Sequence, residues 1–295
     1  MVEFGKALER KPCLQSNLCA KNYLPELTIA FPNLPKDIFM TRCGKTDPKT
    51  ELIPFAQKCW KFDNISRLAL SSKQQDVLEI DSSYLQSFKF FKRDTARRLF
   101  DFSPLVRHYV DSYTKVLFEG ADEMPKFCVH LRGGDFSDHI LLPSEIDSAF
   151  TSINYLLKKY TVGGLCWLLL FSDDARISSQ LEDSVKNFSI NTQTHIVTAL
   201  SRVESLYLAS TNCDVFLLTS PGSTFGWWAA FLVEDRKQDQ IYYIDRFFKP
   251  EFLSEYLSDF DENDFFPAQW QRLNILMDDV FSSRTAGIYE NILFS

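Results

Sequence analysis

From residue 126 onward, short unbroken apolar runs alternate with stretches of helical periodicity, and few folds satisfy that pattern. Phe127 to Leu131, Trp167 to Phe171, a brief His195 to Val197, Asp214 to Thr219 and Ile241 to Ile244 read as strands. Between them, Ile146, Phe150, Ile153, Leu157 and Tyr160 recur at helical spacing, as do Ile177, Leu181 and Val185. Glu204 to Ser210 and Thr224 to Val233 complete the set of helices. Strands apolar on both sides must be covered on both sides, so the pattern predicts an α/β fold with a parallel sheet between helical layers. The stretch after Pro267 reads as a closing helix, Trp270 to Val280.

The preceding 115 or so residues carry less information. Proline at 25, 32, 35, 48 and 54 interrupts them, and no sheet is predicted there. A helix-like start spans Val2 to Glu9. From Leu99 to Phe118, the apolar positions Phe102, Leu105, Val106, Tyr109, Val110, Tyr113, Val116 and Leu117 mark an amphipathic helix, with Ser103 as its N-cap and Pro104 in the first helical position. A chain of 295 residues lies near the upper size of a single core, so one large domain or two packed ones are expected.

Charge narrows the function. With 32 Lys and Arg against 39 Asp and Glu, the net charge of -7 argues against broad electrostatic binding of nucleic acid or anionic lipid. Any phosphate must be met locally. The seven cysteines contain no CxxC pair: Cys128, Cys166 and Cys213 lie in or beside apolar runs and read as buried thiols. Cys13, Cys19, Cys43 and Cys59 could pair in an oxidising compartment. No apolar run is long enough to span a membrane, and the sequons at Asn64 and Asn187 are no more than chance supplies at this composition.

In open parallel sheets, ligands bind beyond the carboxyl ends of the strands. Three predicted strands end in loops with chemistry: Arg132-Gly133-Gly134-Asp135, Ser172-Asp173-Asp174 and Ser220-Pro221-Gly222-Ser223-Thr224. Parallel strands place all three at one edge. Arg132 offers a planar fork for phosphate, or a surface ion pair with Asp135 or Asp138. His130 shares a strand face with Arg132 and is either a core histidine or part of the same pocket. Ser223 and Thr224 open a helix, where they either cap it or join its free N–H groups in holding an anion. Asp173 and Asp174 suit ribose hydroxyls or a guanine edge, against the default explanation that they start a helix. His130, Asp135, Asp138 and His139 fit no familiar metal-ligand spacing, and the DxD at Asp259-Phe260-Asp261 follows no strand, so no metal is expected. Trp227 and Trp228 read as core.

Together these segments resemble the signature of glycosyltransferase family 11, the alpha-1,2-fucosyltransferases, especially the divergent nematode members. His130-Leu131-Arg132-Gly133-Gly134-Asp135-Phe136 is similar to the family's HxRRGDY/F motif, and Phe171-Ser172-Asp173-Asp174 to its FSDD segment. Ser223-Thr224-Phe225-Gly226-Trp227-Trp228-Ala229-Ala230 resembles STFSWWAA. Fainter echoes lie at Leu85 to Phe91 and at Phe266 to Trp270, so the resemblance runs from about residue 84 to 270. Two differences stand out: Gly133 replaces the family's second arginine, and of the family's opening GGxGNQ loop only what looks like the following helix, Val2 to Pro12, is present.

The resemblance implies a GT-B-like fold with a Rossmann-type domain and inverting transfer of L-fucose from GDP-fucose to a galactose 2-hydroxyl on a glycan, without a metal. It implies an N-terminal, acceptor-side region at 1–120, truncated at its start, and a donor-binding domain at 121–295. Donor-binding roles fall to His130, Arg132, Asp173, Asp174, Ser223, Thr224 and Phe225; catalytic roles fall to Arg132 and to Asp135 as general base. A Golgi location follows from the same likeness, with membrane attachment only through an anchor outside this chain. A catalytically weakened or inactive nucleotide-sugar-binding or glycan-binding relative is the alternative.

Overall fold

Six parallel strands form the sheet that the apolar runs foretell, in a computed structural model. It describes residues 8, 25–34, 52–71, 79–82, 85–134, 136, 139–161, 163, 165–189 and 191–274. Backbone packing divides the chain into two units, Met1–Arg107 with Ser254–Ala268, and His108–Leu253 with Gln269–Ser295.

In the first unit, helices lie at 25–30, Ser66–Ser71 and Arg93–Leu99. Two short strands, β1 (Leu52–Pro54) and β2 (Glu79–Asp81), pair in parallel where no sheet was expected. At three residues each, they are too short to imprint a period on the sequence. Phe55, Ala56, Leu68 and Phe90 form a small core beside them. The echo segment at Leu85 to Phe91 is held through Ser87, whose buried hydroxyl donates to the Asp264 carbonyl at 2.6 Å. Lys89 meets the Asp264 carboxylate, also at 2.6 Å. The helix-like start at Val2 to Glu9 lies, apart from residue 8, outside the described residues.

The second unit holds the sheet: β3 (Lys126–Leu131), β4 (Cys166–Ser172), β5 (Thr192–Ile196), β6 (Val215–Leu218), β7 (Ile241–Ile244) and β8 (Gln271–Leu273), in the order β5-β4-β3-β6-β7-β8. Every neighbouring pair is parallel. Four helices connect β3 to β7 in turn: α1 (Ile146–Tyr160), α2 (Ala175–Phe188), α3 (Arg202–Thr211) and α4 (Thr224–Leu232). The predicted helix over Leu99 to Phe118 is realised as Pro104–Leu117, with proline in its first position. The predicted closing helix is overturned at its start. Gln271–Leu273 extends the sheet beside β7, where the ladder outweighs a local helical pattern.

Strand alternation divides the core. Phe127, Val129 and Leu131 pack with Leu168 and Leu170 against Ala149, Ile153 and Leu156 of α1 and Leu181 and Val185 of α2. Cys128 and His130 face the other way, toward the layer that contains α4. Helix α3 starts in a capping box, Ser201 accepting from the Glu204 N–H and the Glu204 side chain from that of Ser201. Helix α4 is apolar on every side, which suits its burial.

One expectation about the cysteines is corrected. Cys128 and Cys213 are joined in a disulfide with a Cα separation of 5.7 Å, while Cys166 is a buried free thiol whose pKa burial pushes up to about 11. Lone apolar context could not separate these cases, because the pairing spans β3 and the approach to β6. Cys13, Cys19 and Cys43 lie outside the described residues.

Candidate active site

The chain runs outward from β3 to β4 to β5, then returns to place β6 on the other flank of β3. That reversal puts a topological switch point between β3 and β6, and open α/β sheets bind ligands outside the strand ends at such a crevice. The loops that carry Arg132 and Ser223 leave from these two strands. The loop with Asp173 and Asp174 leaves β4, the next strand over.

A hydroxyl knot ties the two strand ends together. Ser144 accepts the Arg132 N–H at 2.7 Å and donates its own N–H to the Arg132 carbonyl at 2.7 Å. Thr219 donates its hydroxyl to the His130 carbonyl at 2.7 Å, so in its 2.6 Å contact with Ser144 the Ser144 hydroxyl is the donor. Both side chains are buried. Ser220 adds a bond from its hydroxyl to the Leu142 carbonyl at 2.7 Å. Thr219 ends a visible apolar run, but Ser144 stands in a loop without periodicity, and no sequence signal singles it out.

Arg132 is held from two sides. A terminal guanidinium nitrogen lies 3.0 Å from an Asp173 carboxylate oxygen, and the guanidinium carbon sits 5.1 Å from the centroid of the Phe136 ring. Phe136 in turn stacks on His139, with ring centroids 5.3 Å apart. The Asp173 carboxylate also accepts the Gly133 N–H at 2.9 Å. A Cβ on Gly134, at φ +21°, would stand 2.3 Å from Asp173 Oδ2. The glycines thus let the loop close over the carboxylate.

Asp174 is engaged elsewhere. It caps α2, accepting the Arg176 N–H at 2.9 Å, and pairs with the Arg176 guanidinium at 3.0 Å. Hydrogen bonding to Arg176 holds its carboxyl below the usual range. Asp135, the candidate base, and Asp138 lie outside the described residues. The DxD aspartates sit on the first unit, with Asp259 paired to Lys58 at 2.9 Å.

At β6 the helix opens without a side-chain cap on Ser223. The buried Ser223 hydroxyl instead faces His130 Nε2 at 3.4 Å, which leaves the first turn of α4 without the ordinary serine cap. Thr224 is exposed and Phe225 half-buried, its ring stacked on His130 with centroids 5.7 Å apart. Trp227 is buried against Phe231 and Trp270, and Trp228 packs edge-on against it, as core residues do.

His130 is 3% exposed, and its Nδ1 has no hydrogen-bond partner among the described residues. Burial, with Arg132 nearby, lowers its pKa to about 3, so the ring is neutral. Its slot exists because residue 226 is glycine: a Cβ there would stand 2.6 Å from Nδ1. Gly226→Ala is expected to destabilise the fold by about 1–3 kcal/mol through overpacking, as read by urea denaturation; an unchanged midpoint would show that the slot relaxes freely.

Between pH 6.5 and 3 the unfolded chain binds a proton at His130 that the native chain refuses, so stability falls as pH drops through that window. The slope from this one group reaches at most ~1.4 kcal/mol per pH unit. The stability loss from pH 7 to pH 4.5 should therefore be smaller in His130→Phe than in the parent; equal losses would remove the assignment.

Among the described residues, no group of three or more His, Cys, Asp or Glu side chains is placed to hold a metal ion. No described helix is long and apolar enough to cross a membrane.

Fold and site define a class: a doubly wound α/β protein that presents an arginine and an uncapped helix start at the switch point of its sheet, an arrangement for phosphorylated ligands. Among the curated proteins it resembles, three carry the name galactoside 2-alpha-L-fucosyltransferase, one of them as putative, and another is named a putative glycosyltransferase. A galactoside 2-alpha-L-fucosyltransferase of Caenorhabditis elegans is 30% identical over 213 residues, covering 70% of this chain and 55% of the relative. A putative galactoside 2-alpha-L-fucosyltransferase, svh-11, of the same organism is 24% identical over 217 residues, covering 72% and 57%. The chain thus spans about half the length of the curated relatives it matches. Among solved structures, POFUT1 in complex with GDP-fucose superposes with a TM-score of 0.47 and 13% identity, over 78% of this chain and 87% of that one. No protein-family model matches.

Proposed function

We propose that this chain carries the donor-binding half of a GT-B-like fucosyltransferase, which transfers L-fucose with inversion from GDP-fucose to the 2-hydroxyl of a galactose on a glycan. The observation that carries the reading is the pairing of Arg132 with the uncapped start of α4 across the switch point between β3 and β6. A nucleoside diphosphate leaving group gathers negative charge as the glycosidic bond breaks. A fixed guanidinium and the N–H groups of a helix start stabilise that charge without reorganising. The names of the curated relatives supply the sugar and the acceptor.

In this reading His130 and Phe225 shape the wall behind Ser223 and Thr224, and Asp135, just past Arg132, takes the acceptor proton. The charge can be met by protein groups alone, so transfer is expected to continue in EDTA.

The test is transfer of radiolabelled fucose from GDP-fucose to a panel of beta-galactosides, by the chain together with whatever its gene encodes upstream. Incorporation into galactosides, lost on addition of a 2-deoxygalactoside in their place, supports the proposal; no incorporation into any acceptor removes it.

A second reading, a binding relative with little or no turnover, is favoured by one observation. A Cβ on Gly133 would lie 2.9 Å from the Asp174 Cβ and 2.4 Å from Ile177 Cδ1, so the family's second arginine has no room beside Arg132 in this loop. Calorimetric binding of GDP-fucose without transfer would select that reading.

We also propose that the protein resides in the lumen of the secretory pathway, as a Golgi protein. The Cys128–Cys213 disulfide supports this, since such bonds persist in oxidising compartments.

A further inference from the structure

We propose that Asp173 and Phe136 are positioning residues that fix the plane of the Arg132 guanidinium for a diphosphate, and that Asp173 does not read the nucleoside. The inference rests on the reading of the site given above and changes the role of one of its carboxylates. A carboxylate at the end of a strand reads ribose or guanine best when its oxygens face the ligand rather than donors of its own protein. Both oxygens of Asp173 are committed to the β3 loop: Oδ1 to the Gly133 N–H at 2.9 Å and Oδ2 to Arg132 at 3.0 Å. Gly134 backs against Oδ2 so closely that a Cβ there would stand 2.3 Å away. The carboxylate is therefore bonded by two consecutive residues, Arg132 and Gly133, with Gly134 packed against it.

The second contact sets orientation. Phe136 is buried, at 7% exposure, and cannot swing away; its ring lies under the guanidinium at 5.1 Å and is itself backed by His139. An ion pair along one edge of a guanidinium fixes direction, and an aromatic face beneath it fixes the plane. Arginine carries five donors, more than the ion pair with Asp173 uses. The Arg132 side chain keeps 27% of its surface exposed, on a loop at the edge where ligands bind.

Positioning and nucleoside reading make different demands on the ligand. A group that orients Arg132 acts on any diphosphate, with or without a nucleoside. One that reads ribose or guanine acts only on the nucleotide. Calorimetry with GDP and with inorganic pyrophosphate, on the parent, Asp173→Asn and Phe136→Leu, separates the two. Asp173→Asn keeps an oxygen to accept the Gly133 N–H and removes the charge facing Arg132, so the loop should retain its path. Asp173→Asn is expected to weaken GDP and pyrophosphate by the same factor, about 3- to 10-fold, and Phe136→Leu to weaken both by about 2- to 5-fold. In an Arg132→Ala background, the Asp173→Asn effect should vanish.

A parent that binds both ligands, with Asp173→Asn weakening GDP alone, overturns the positioning role and leaves the proposed function standing. Persistence of the Asp173→Asn effect in the Arg132→Ala background overturns it equally. A parent that binds neither ligand overturns the reading of the site, and this inference with it.

Discussion

Under the proposed function, Arg132→Ala is expected to lower kcat/KM for fucosyl transfer from GDP-fucose by about 100-fold, the scale seen when one fixed donor to a developing charge is removed. The loss should fall mainly on kcat, because the leaving diphosphate carries more charge in the transition state than in the ground state. Arg132→Lys should recover only part of it. An ammonium keeps the charge but can neither lie flat on Phe136 nor span Asp173 and a phosphate with one rigid plane. The measurement is steady-state transfer to a beta-galactoside at varied GDP-fucose. A change of less than about threefold would take the diphosphate away from Arg132 and leave the helix start as its holder.

Loss of the Cys128–Cys213 bond should produce the largest change in stability. The bridge closes a loop with a sequence separation of 85 residues, and chain entropy alone assigns such a tie about 4–5 kcal/mol. Both cysteines are buried, with exposures of 1% and 3%, and the bond anchors β3 two residues before His130. The double variant Cys128→Ala, Cys213→Ala should unfold at lower urea concentration, and a reductant should lower the parent's midpoint while leaving the variant's nearly unchanged. Equal midpoints for parent and variant under oxidising conditions would show that the tie contributes nothing to the fold.

The same strand shows why some of this protein could be read in advance. Phe127, Val129 and Leu131 face one layer and Cys128 and His130 the other, so both sides of β3 are buried and the sequence there is nearly continuous in apolar residues. Strand β4 behaves likewise. Edge strands do not: β5, Thr-Gln-Thr-His-Ile, leaves the apolar pattern for most of its length, and only its end was visible. Strand β8 lies on the opposite edge, and Gln271-Arg272-Leu273 carries no strand period of its own. Its conformation comes from pairing with β7, which is why a helix seemed the better reading.

The site divides in the same way. Arg132, Asp173 and Ser223 were recognisable because each closes an apolar run at what must be one edge of a parallel sheet. Their partners were not. An aspartate after a strand can cap a helix, read a sugar or hold an arginine; Asp174 does the first and Asp173 the last. A serine that opens a helix ordinarily caps it, whereas the Ser223 hydroxyl turns toward His130. Ser144, which joins the ends of β3 and β6, bears no mark in the sequence at all.

By itself the sequence determined the parallel sheet, the helices that cover it and the edge where chemistry collects, because two-sided burial and helical periodicity are local patterns. Only the tertiary structure decided that β6 returns beside β3, that Cys128 meets Cys213, and that Asp173 grips Arg132. Each of these joins residues 40 or more positions apart, set together by strand order. Strand order depends on which apolar faces pack together across the whole unit, and no local period records that choice.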